Sequence, residues 1–372
     1  MVNKKFWAAV FTLTGTTIGA GILGLPYVFA KSGFLVGVFW LFIIGAVIIF
    51  TNLTLGEITL RTRGKHQLTG YAEKYLGIWG KRLMFFAVAF GIYSALLAYL
   101  IGEGESLAQL IPGNTPPFVF AIFFWIIMTL LLKRGLKGLK RVETYGVIII
   151  ITIILGLFIK SIPLINPTNL TTFYPTNFAV PFGVVLFALL GFTSIPELRK
   201  EIKGQEKLLK KAIILGTLIP IALYIIFSLV FIGILGNKIT EVATLSFGPL
   251  MTLLGIFTML TSYFVLSYSI HATYTYDIKT KKSTRFILTS ILPLALYILA
   301  TQLEFIKFTF ILGIGGVISG GITGILILLI ARKAKKSTRN KKDPEIKIPI
   351  NIPIIIILSL IFIAGIIIEF VH

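Results

Sequence analysis

The sequence has no cysteine and few histidines, and each shortage excludes a class of protein. Without cysteine there is no disulfide, no thiolate metal site and no thiol nucleophile. The three histidines, His66, His271 and His372, are too scattered to indicate a metal cluster. No grouping of His, Asp and Glu and no nucleophile–base pair indicates catalysis. We therefore expect neither an enzyme nor a bound cofactor.

Charge is also scarce: 13% of the 372 residues are charged and 56% are hydrophobic, whereas an average soluble domain has about 25% charged residues. The apolar residues are collected in runs long enough to cross a bilayer as helices, which takes about 17–25 residues. Eleven such runs are predicted spans, at 6–30, 34–60, 83–110, 117–133, 143–161, 180–198, 209–236, 248–275, 285–302, 306–331 and 352–371. The sequence therefore predicts a single all-α integral membrane domain over 1–372, embedded in the lipid bilayer.

The net charge of +21 raises the question of a nucleic-acid partner, and the distribution of the charge answers it. With the N-terminus placed in the cytoplasm, 31 of the 35 Lys and Arg residues fall on the cytoplasmic side of the predicted spans. That bias follows the positive-inside rule of membrane proteins. It predicts a cell-membrane protein with a cytoplasmic N-terminus and, because the span count is odd, an external C-terminus. Neither a nucleic acid nor an obligatory protein partner is indicated.

The first span is interrupted by a glycine-rich motif, Gly-Thr-Thr-Ile-Gly-Ala-Gly-Ile-Leu-Gly-Leu-Pro at 15–26. Each glycine inside a helix costs roughly 1 kcal/mol relative to alanine, so four glycines and a proline make a poor continuous helix. In hydrocarbon, unpaired backbone groups are tolerated only where they line a protein cavity or bind something. The motif predicts a binding site at the membrane midplane, as in secondary transporters. The alternative is that the glycines only allow close helix packing.

The sixth span carries a second interruption, formed by Gly191, Thr193, Ser194 and Pro196. Proline inside a helix removes a hydrogen bond and clashes with the preceding turn. Spans 1 and 6 each open a set of five spans, and they cross the membrane in opposite directions. The sequence thus predicts two inverted five-helix repeats with broken helices 1 and 6, at 1–161 and 180–331, and an extra helix at 352–371.

These motifs resemble those of a known family. The motif at 15–26 resembles the first helix of the amino acid/auxin permeases and of the bacterial hydroxy and aromatic amino acid permeases, which belong to the amino acid–polyamine–organocation superfamily with the LeuT-type fold. The stretches 187–197, 260–264 and 57–61 resemble parts of the sixth, eighth and second helices of that family. The resemblance implies amino acid uptake by alternating access and leaves the particular amino acid open. We expect cation-coupled uptake of a small neutral or aromatic amino acid.

An amino acid is a zwitterion, so a midplane site has to satisfy both of its charges. The N–H groups and positive dipole at a helix start suit the carboxylate, and unwound carbonyls accept from the ammonium. By resemblance, Phe187 and Phe192 border the side-chain pocket. The predicted substrate-binding residues are Thr16, Thr17, Gly19, Ala20, Gly21, Ile22, Phe187, Leu190, Gly191 and Phe192. Tyr93, Leu97 and Ile101 share one face of the third span and are further candidates.

A cation site is predicted on the eighth span, where Thr258, Thr261 and Ser262 lie at i, i+3 and i+4 and share one helix face. Hydroxyl and carbonyl oxygens are hard ligands suited to a small cation. By resemblance to the LeuT-type fold, the carbonyls of Gly15 and Ile18 complete a sodium-like site. The alternative is that the hydroxyls bond back to carbonyls of their own helix.

We expect Na⁺ as the coupling ion. The alternative is H⁺, for which two acids on the third span, Glu103 and Glu105, are candidate carriers. His271 is a poor candidate, since it faces away from Ser262 on the eighth span. A non-transporting membrane sensor of the same fold also remains open. A channel would need a polar lining that repeats along a span, and no span shows one.

Two other acids, Glu57 and Glu197, are predicted to lie near the cytoplasmic ends of their helices. An unpaired acid at membrane depth is costly. We therefore expect Glu57 to pair with Arg61 and Glu197 to pair with Arg199.

Overall fold

A computed structural model of the protein describes residues 4–64, 66–134, 139–276, 278–303, 307–336 and 343–371. Every regular element within these ranges is helical. The α-helices are α1 (Lys4–Thr17), α2 (Gly21–Ser32), α3 (Phe34–Arg61), α4 (Leu68–Leu110), α5 (Pro117–Arg134), α6 (Leu139–Ser161), α7 (Pro181–Ala188), α8 (Ile195–Glu201), α9 (Leu209–Leu235), α10 (Pro249–Tyr276), α11 (Lys282–Phe286), α12 (Leu292–Thr301), α13 (Phe308–Gly315), α14 (Gly321–Lys336) and α15 (Ile352–Val371). Two π-helical turns, Ile287–Ile291 and Gly316–Gly320, continue α11 into α12 and α13 into α14.

Within the described ranges, nine helices or helix runs are long and apolar enough to cross a membrane, and the bent pair α1–α2 brings the number to ten. The predicted fourth span is also an apolar helix, but it is shorter, at Pro117–Lys133. The molecule is therefore an all-helical integral membrane protein. The predicted first residue of the tenth span, 306, lies outside the described residues.

Both predicted interruptions are breaks in the structure. Helix α1 ends at Thr17, and α2 begins at Gly21 with its axis turned by 56°. Helix α7 ends at Ala188, and α8 begins at Ile195 after a turn and a short 3₁₀ segment. The interpretation of Pro196 as an interior helix breaker is wrong, because this proline lies in the first turn of α8. At that position a proline is tolerated, since no intrahelical N–H bond is lost.

The helix packing places the two breaks together. Helix α2 packs along α7, while α1 packs against α6, α8 and α9. Helix α4 is surrounded by α5, α10, α13 and α14. The α7–α8 and α13–α14 runs are mostly buried, whereas α15 is mostly exposed at the surface. The breaks therefore lie in the interior of the bundle, where unwound backbone is shielded from lipid.

One end of the bundle, called the basic end here, brings together Lys5, Arg61, Arg199 and Lys335, which contact one another's neighbouring segments. There Glu57, 2% exposed, accepts from Arg61 Nε at 2.7 Å, which confirms the predicted pair. Its other oxygen accepts from the backbone N–H of Ile348 at 2.7 Å and lies 3.5 Å from Lys335 Nζ. The same lysine also donates to the carbonyl of Ile348. The buried acid therefore ties α3 and α14 to the segment that leads into α15.

The second predicted acid–base pair has different partners in the structure. Glu197 accepts from Lys200 Nζ at 2.6 Å and from Gln67 Nε2 at 3.1 Å. Arg199, the predicted partner, donates to the carbonyl of Thr62 at 3.1 Å. The hydrogen bonds Gln67–Glu197 and Arg199–Thr62 join α8 to the chain between α3 and α4. They hold the inner part of the broken sixth span to its neighbours.

Candidate functional site

A cavity of about 680 Å³ lies between the two breaks and α4. Its lining consists of Thr16, Thr17, Gly19, Gly21, Leu68, Val88, Gly91, Ile92, Ala95, Tyr99, Phe187, Leu190, Phe192, Thr193, Leu266, Ser319 and Thr323. None of these lining residues is Asp, Glu, Lys or Arg. The cavity thus offers backbone, hydroxyl and apolar surface to a ligand.

Seven of the ten predicted substrate-binding residues line this cavity. The other three do not. Ala20 and Ile22 are buried in the packing around the break, at 0% and 2% exposure. Gly191 faces α1 instead: a Cβ built on it would stand 2.7 Å from Leu13 and 3.0 Å from the hydroxyl of Thr17. Helix geometry explains the difference, because successive residues at a break cannot all point to one side.

The break in the first span presents a helix start to the cavity. The first N–H groups of a helix have no partner within the helix, and in α2 these include the N–H groups of Gly21 and Ile22. They carry the positive end of the helix dipole. The N–H of Ala20 is already used, because it donates to the Tyr99 hydroxyl at 3.3 Å. A carboxylate at this point would find donors and favourable charge without any basic side chain.

Gly19 and Gly21 have different roles at this break: one leaves open space and the other allows close helix packing. A Cβ on Gly19 would stand 2.8 Å from the Tyr99 hydroxyl and 3.5 Å from Ser262 Oγ, so this glycine opens space beside polar groups. A Cβ on Gly21 would stand 2.5 Å from both the Cα and the Cβ of Ala188. Gly21 therefore lets the start of α2 approach the end of α7. The packing interpretation holds for this glycine in addition to its place in the cavity lining.

Tyr224 on α9 links the two breaks. Its hydroxyl is fully buried and lies 2.8 Å from the carbonyl oxygens of both Thr17 and Ala188. These two carbonyls end α1 and α7. The Thr17 carbonyl, which we expect to accept from the ammonium, thus already accepts from this tyrosine and keeps one lone pair for a second donor. The sequence signal for Tyr224 is weak, because its hydroxyl is one of three in a mostly apolar span, with those of Thr217 and Ser228.

The aromatic wall of the cavity comes from the sixth span. Phe187 is half-buried and lines the cavity, and Phe192 is 4% exposed at the start of the 3₁₀ segment. A Cβ on Gly316 would stand 2.7 Å from the backbone nitrogen of Phe187, so the π-helical turn packs directly behind this residue. The backbone of the π-helical turn therefore supports the backbone of Phe187 from behind.

The face of α4 that lines the cavity differs from the predicted one. Tyr93 points away: its hydroxyl donates to the carbonyl of Leu288 at 2.9 Å and lies 3.0 Å from the hydroxyl of Tyr274. Leu97 and Ile101 are also absent from the lining. The lining face instead runs through Gly91, Ala95 and Tyr99, among others. An apolar helix has no polar face in its sequence to indicate which side meets the cavity.

A second cavity, of about 530 Å³, lies between α1, α6 and α10. It shares Thr16, Tyr99 and Leu266 with the first cavity. Four of the five residues predicted for the cation site line it, namely Gly15, Ile18, Thr261 and Ser262.

The fifth residue predicted for the cation site, Thr258, is outside this lining. Its hydroxyl donates to the carbonyl of Leu254 at 2.8 Å. Thr261 also donates back to its own helix, to Phe257 and Thr258 at 3.0 Å each. A hydroxyl that donates its proton still has lone pairs for a cation. Thr261 therefore satisfies both interpretations, whereas Thr258 fits only the self-bonded one.

Two broken helices in a membrane bundle, with a cavity between the breaks, define a transporter-type protein. Residues 2–272 match the tryptophan/tyrosine permease family. Because this match covers well over half of the sequence, the chain belongs to that family, whose members are transporters rather than enzymes.

The curated relatives have names from the same class. Tyrosine-specific transport system 2 of Haemophilus influenzae is 26% identical over 249 residues, which is 64% of this chain and 60% of the relative. The chain therefore spans about three fifths of the length of that transporter. Glutamine transporter 2 of Aliivibrio fischeri is 24% identical over 366 residues, or 92% of each chain. The branched-chain amino acid permease BcaP of Bacillus subtilis is 27% identical over 241 residues, covering 61% of this chain and 51% of the relative.

Proposed function

We propose that the chain is a secondary active transporter that takes up a small neutral or aromatic amino acid together with a cation. The observation that carries this proposal is the cavity between the two breaks, where a helix start faces a lining free of Asp, Glu, Lys and Arg. The three relatives described above are named as transporters or permeases of neutral amino acids, which supports the same substrate class.

The substrate would bind with its carboxylate at the start of α2, beside Gly19 and Gly21. The ammonium would face backbone carbonyls on the opposite side of the cavity, for which Thr16 and Leu190 are placed in the lining. The side chain would lie against Phe187. An apolar wall of this kind accepts aliphatic and aromatic side chains, and a charged side chain there would have no counter-ion.

The architecture we propose has eleven spans: the ten counted above plus the shorter apolar helix Pro117–Lys133. The break in the sixth span repeats the break in the first, which supports inverted repeats at 1–161 and 180–331 within a single domain. The basic end would face the cytoplasm, as the positive-inside rule requires. The N-terminus would then be cytoplasmic and the C-terminus external.

For the coupling ion we propose sodium, bound in the second cavity by the carbonyls of Gly15 and Ile18 and by the side-chain oxygens of Thr261 and Ser262. What supports this is that the four residues line one cavity at the break, since oxygen ligands from two helices are what a hard cation needs. Helix α6 contributes Gly146, Val147 and Ile150 to that lining and no basic side chain that would replace the ion.

Uptake of labelled amino acids into proteoliposomes tests the transporter proposal. We expect saturable uptake of neutral amino acids and exchange of internal for external substrate. Ion currents without saturable uptake would favour a channel. Specific binding without any uptake or exchange would favour a sensor.

Sodium coupling has its own test in the same vesicles. In Ser262→Ala, the loss of one ligand worth about 1.4 kcal/mol would raise the sodium concentration for half-maximal uptake about tenfold. Thr258→Ala is the matched control, because its hydroxyl lies outside the cation cavity. Uptake that needs no sodium, or equal effects of the two substitutions, would contradict the site.

A further inference from the structure

Helices α4 and α10 run antiparallel along a seam whose register three contacts define. A Cβ on Gly19 would stand 2.8 Å from the Tyr99 hydroxyl and 3.5 Å from Ser262 Oγ, so these two side chains lie at the same level. A Cβ on Gly102 would stand 2.7 Å from Met259 Sδ. At the end of the seam, Thr252 Oγ1 donates to Gln109 Oε1 at 3.2 Å. In this register, moving one residue forward along α4 corresponds to moving one residue back along α10. Ser106 therefore lies level with Gly255.

Between these contacts the seam holds polar groups without partners. Glu103 is 0% exposed, and neither of its carboxyl oxygens has a hydrogen-bond partner among the described residues. The hydroxyls of Ser106 and Thr244 are also fully buried and unpartnered within that part of the chain. A Cβ on Gly255 would stand 2.5 Å from Thr244 Oγ1, which brings this hydroxyl to the level of Ser106.

The seam connects the outer surface with the binding region. Gln109, at its outer end, is exposed. Glu103 lies six residues deeper, about 9 Å along a helix that rises 1.5 Å per residue. Tyr99, which lines both cavities, is one further turn inward. The unpartnered acid is thus placed between water and the substrate cavity.

Among the residues that the structure describes, none offers a compensating charge close to Glu103. The ionisable residues on the elements around this part of α4 are Tyr99 and Glu105 on α4 itself, Tyr263 on α10, Tyr297 on α12, Glu241 in the loop before α10, and Lys307 before α13. Lys307, the basic residue of this group, is exposed to solvent. The basic residues of α5 and α14 lie at their opposite ends. An ionised carboxylate here would have neither solvent nor a counter-ion, and buried charges without partners are strongly disfavoured.

We propose that Glu103 is a proton-binding site of the transport cycle, in addition to the sodium site; this inference rests on the proposed function. In the closed seam the side chain is a neutral carboxylic acid. The carboxylate takes its proton from a hydronium ion at the outer end of the seam, which forms the O–H bond and leaves water. When the substrate cavity opens to the opposite side of the membrane, that O–H bond breaks and the proton passes to water there, which restores the carboxylate. Buried and unpartnered polar atoms at Ser106 and Thr244 line the route.

The test uses proteoliposomes with wild-type protein, Glu103→Gln and, as matched control, Glu73→Gln, whose carboxylate pairs with Lys81 at the surface. An inward proton gradient at fixed sodium should stimulate uptake by the wild type and the control and acidify the lumen when substrate is added. In Glu103→Gln, we expect at least a tenfold loss of that stimulation, with substrate exchange retained because exchange needs no net proton movement. Glu103→Asp, which keeps a carboxyl, should retain the stimulation.

Retained proton stimulation in Glu103→Gln would overturn the proposal. So would wild-type uptake that is independent of pH and leaves the lumen pH unchanged, whatever the variants do. In both cases the exchange assay still measures transport, so the proposed function would stand. Absence of exchange in the wild type would instead overturn the proposed function.

Discussion

Tyr224→Phe should weaken substrate binding by more than a general loss of stability explains. The tyrosine hydroxyl lies 2.8 Å from the carbonyl oxygens that end α1 and α7, and it is fully buried. A hydrogen bond contributes about 0.5–1.5 kcal/mol, and an unsatisfied buried group costs about 1–3 kcal/mol. We expect a total loss of about 2 kcal/mol, since two carbonyls lose one shared donor.

Part of this loss should be measured as binding, because Thr17 lines the cavity and Ala188 lies two residues before Leu190, which also lines it. If half of it, about 1 kcal/mol, falls on the substrate-bound conformation, affinity drops about fivefold. Equilibrium binding of a labelled amino acid to detergent-purified protein measures this drop. Thermal unfolding of the same sample measures the remaining loss of stability.

Tyr93→Phe is the matched control. Its hydroxyl also has two partners, the carbonyl of Leu288 and the hydroxyl of Tyr274, at 2.9 and 3.0 Å, but it lies outside both cavity linings. We expect a similar loss of thermal stability and unchanged affinity. The reasoning would be refuted if Tyr224→Phe kept wild-type affinity or if both variants lost affinity equally.

Three further outcomes follow from the same structure. Gly19→Ala should reduce uptake about tenfold, because the added Cβ would stand 2.8 Å from the Tyr99 hydroxyl and overpack the site. Gly156→Ala, with open space around the added Cβ, should leave uptake unchanged. Equal uptake by both variants would contradict the site. In competition assays, neutral amino acids should block uptake and lysine, arginine, aspartate and glutamate should not, because the cavity lining has no counter-charge. Glu57→Ala should destabilise the fold by about 3 kcal/mol in unfolding assays, whereas Glu73→Ala, in an exposed pair, should cost under about 1 kcal/mol.

The two helix breaks could be predicted from sequence because their causes are local. Glycines at 15, 19 and 21 weaken a helix wherever they occur, and the structure breaks the span at 18–20. The position of Pro196 within its helix could not be predicted from sequence in the same way. A proline indicates that a helix is interrupted nearby, but it fits both an interior break and the first turn of a new helix. Which of the two applies depends on where the preceding helix stops.

The contacts across the site could not be predicted in the same way. Tyr224 reaches the carbonyl of Thr17 over 207 residues of sequence, and nothing local to either residue indicates this contact. The periodicity of α10 placed Thr258 and Thr261 on one face, yet only Thr261 lines the cation cavity. The rotation of α10 about its own axis, by part of a turn, determines which threonine faces the cavity. The packing of α10 on α4 sets that rotation. Such rotations come from tertiary packing rather than from helical spacing.

The buried contact between Glu57 and Ile348 also has a consequence for how the protein is made. The two partners are 291 residues apart, so the acid is synthesised and α3 is inserted long before its second donor exists. Until then Arg61, in the same helix, is the partner of one Glu57 carboxylate oxygen. The other oxygen lacks the backbone N–H of Ile348, which lies in the segment before α15. A nascent chain that stops before residue 348 therefore keeps an incompletely satisfied acid between its helices. Truncated products would therefore expose an unsatisfied buried acid to cellular quality control, even though α15 itself lies mostly at the surface.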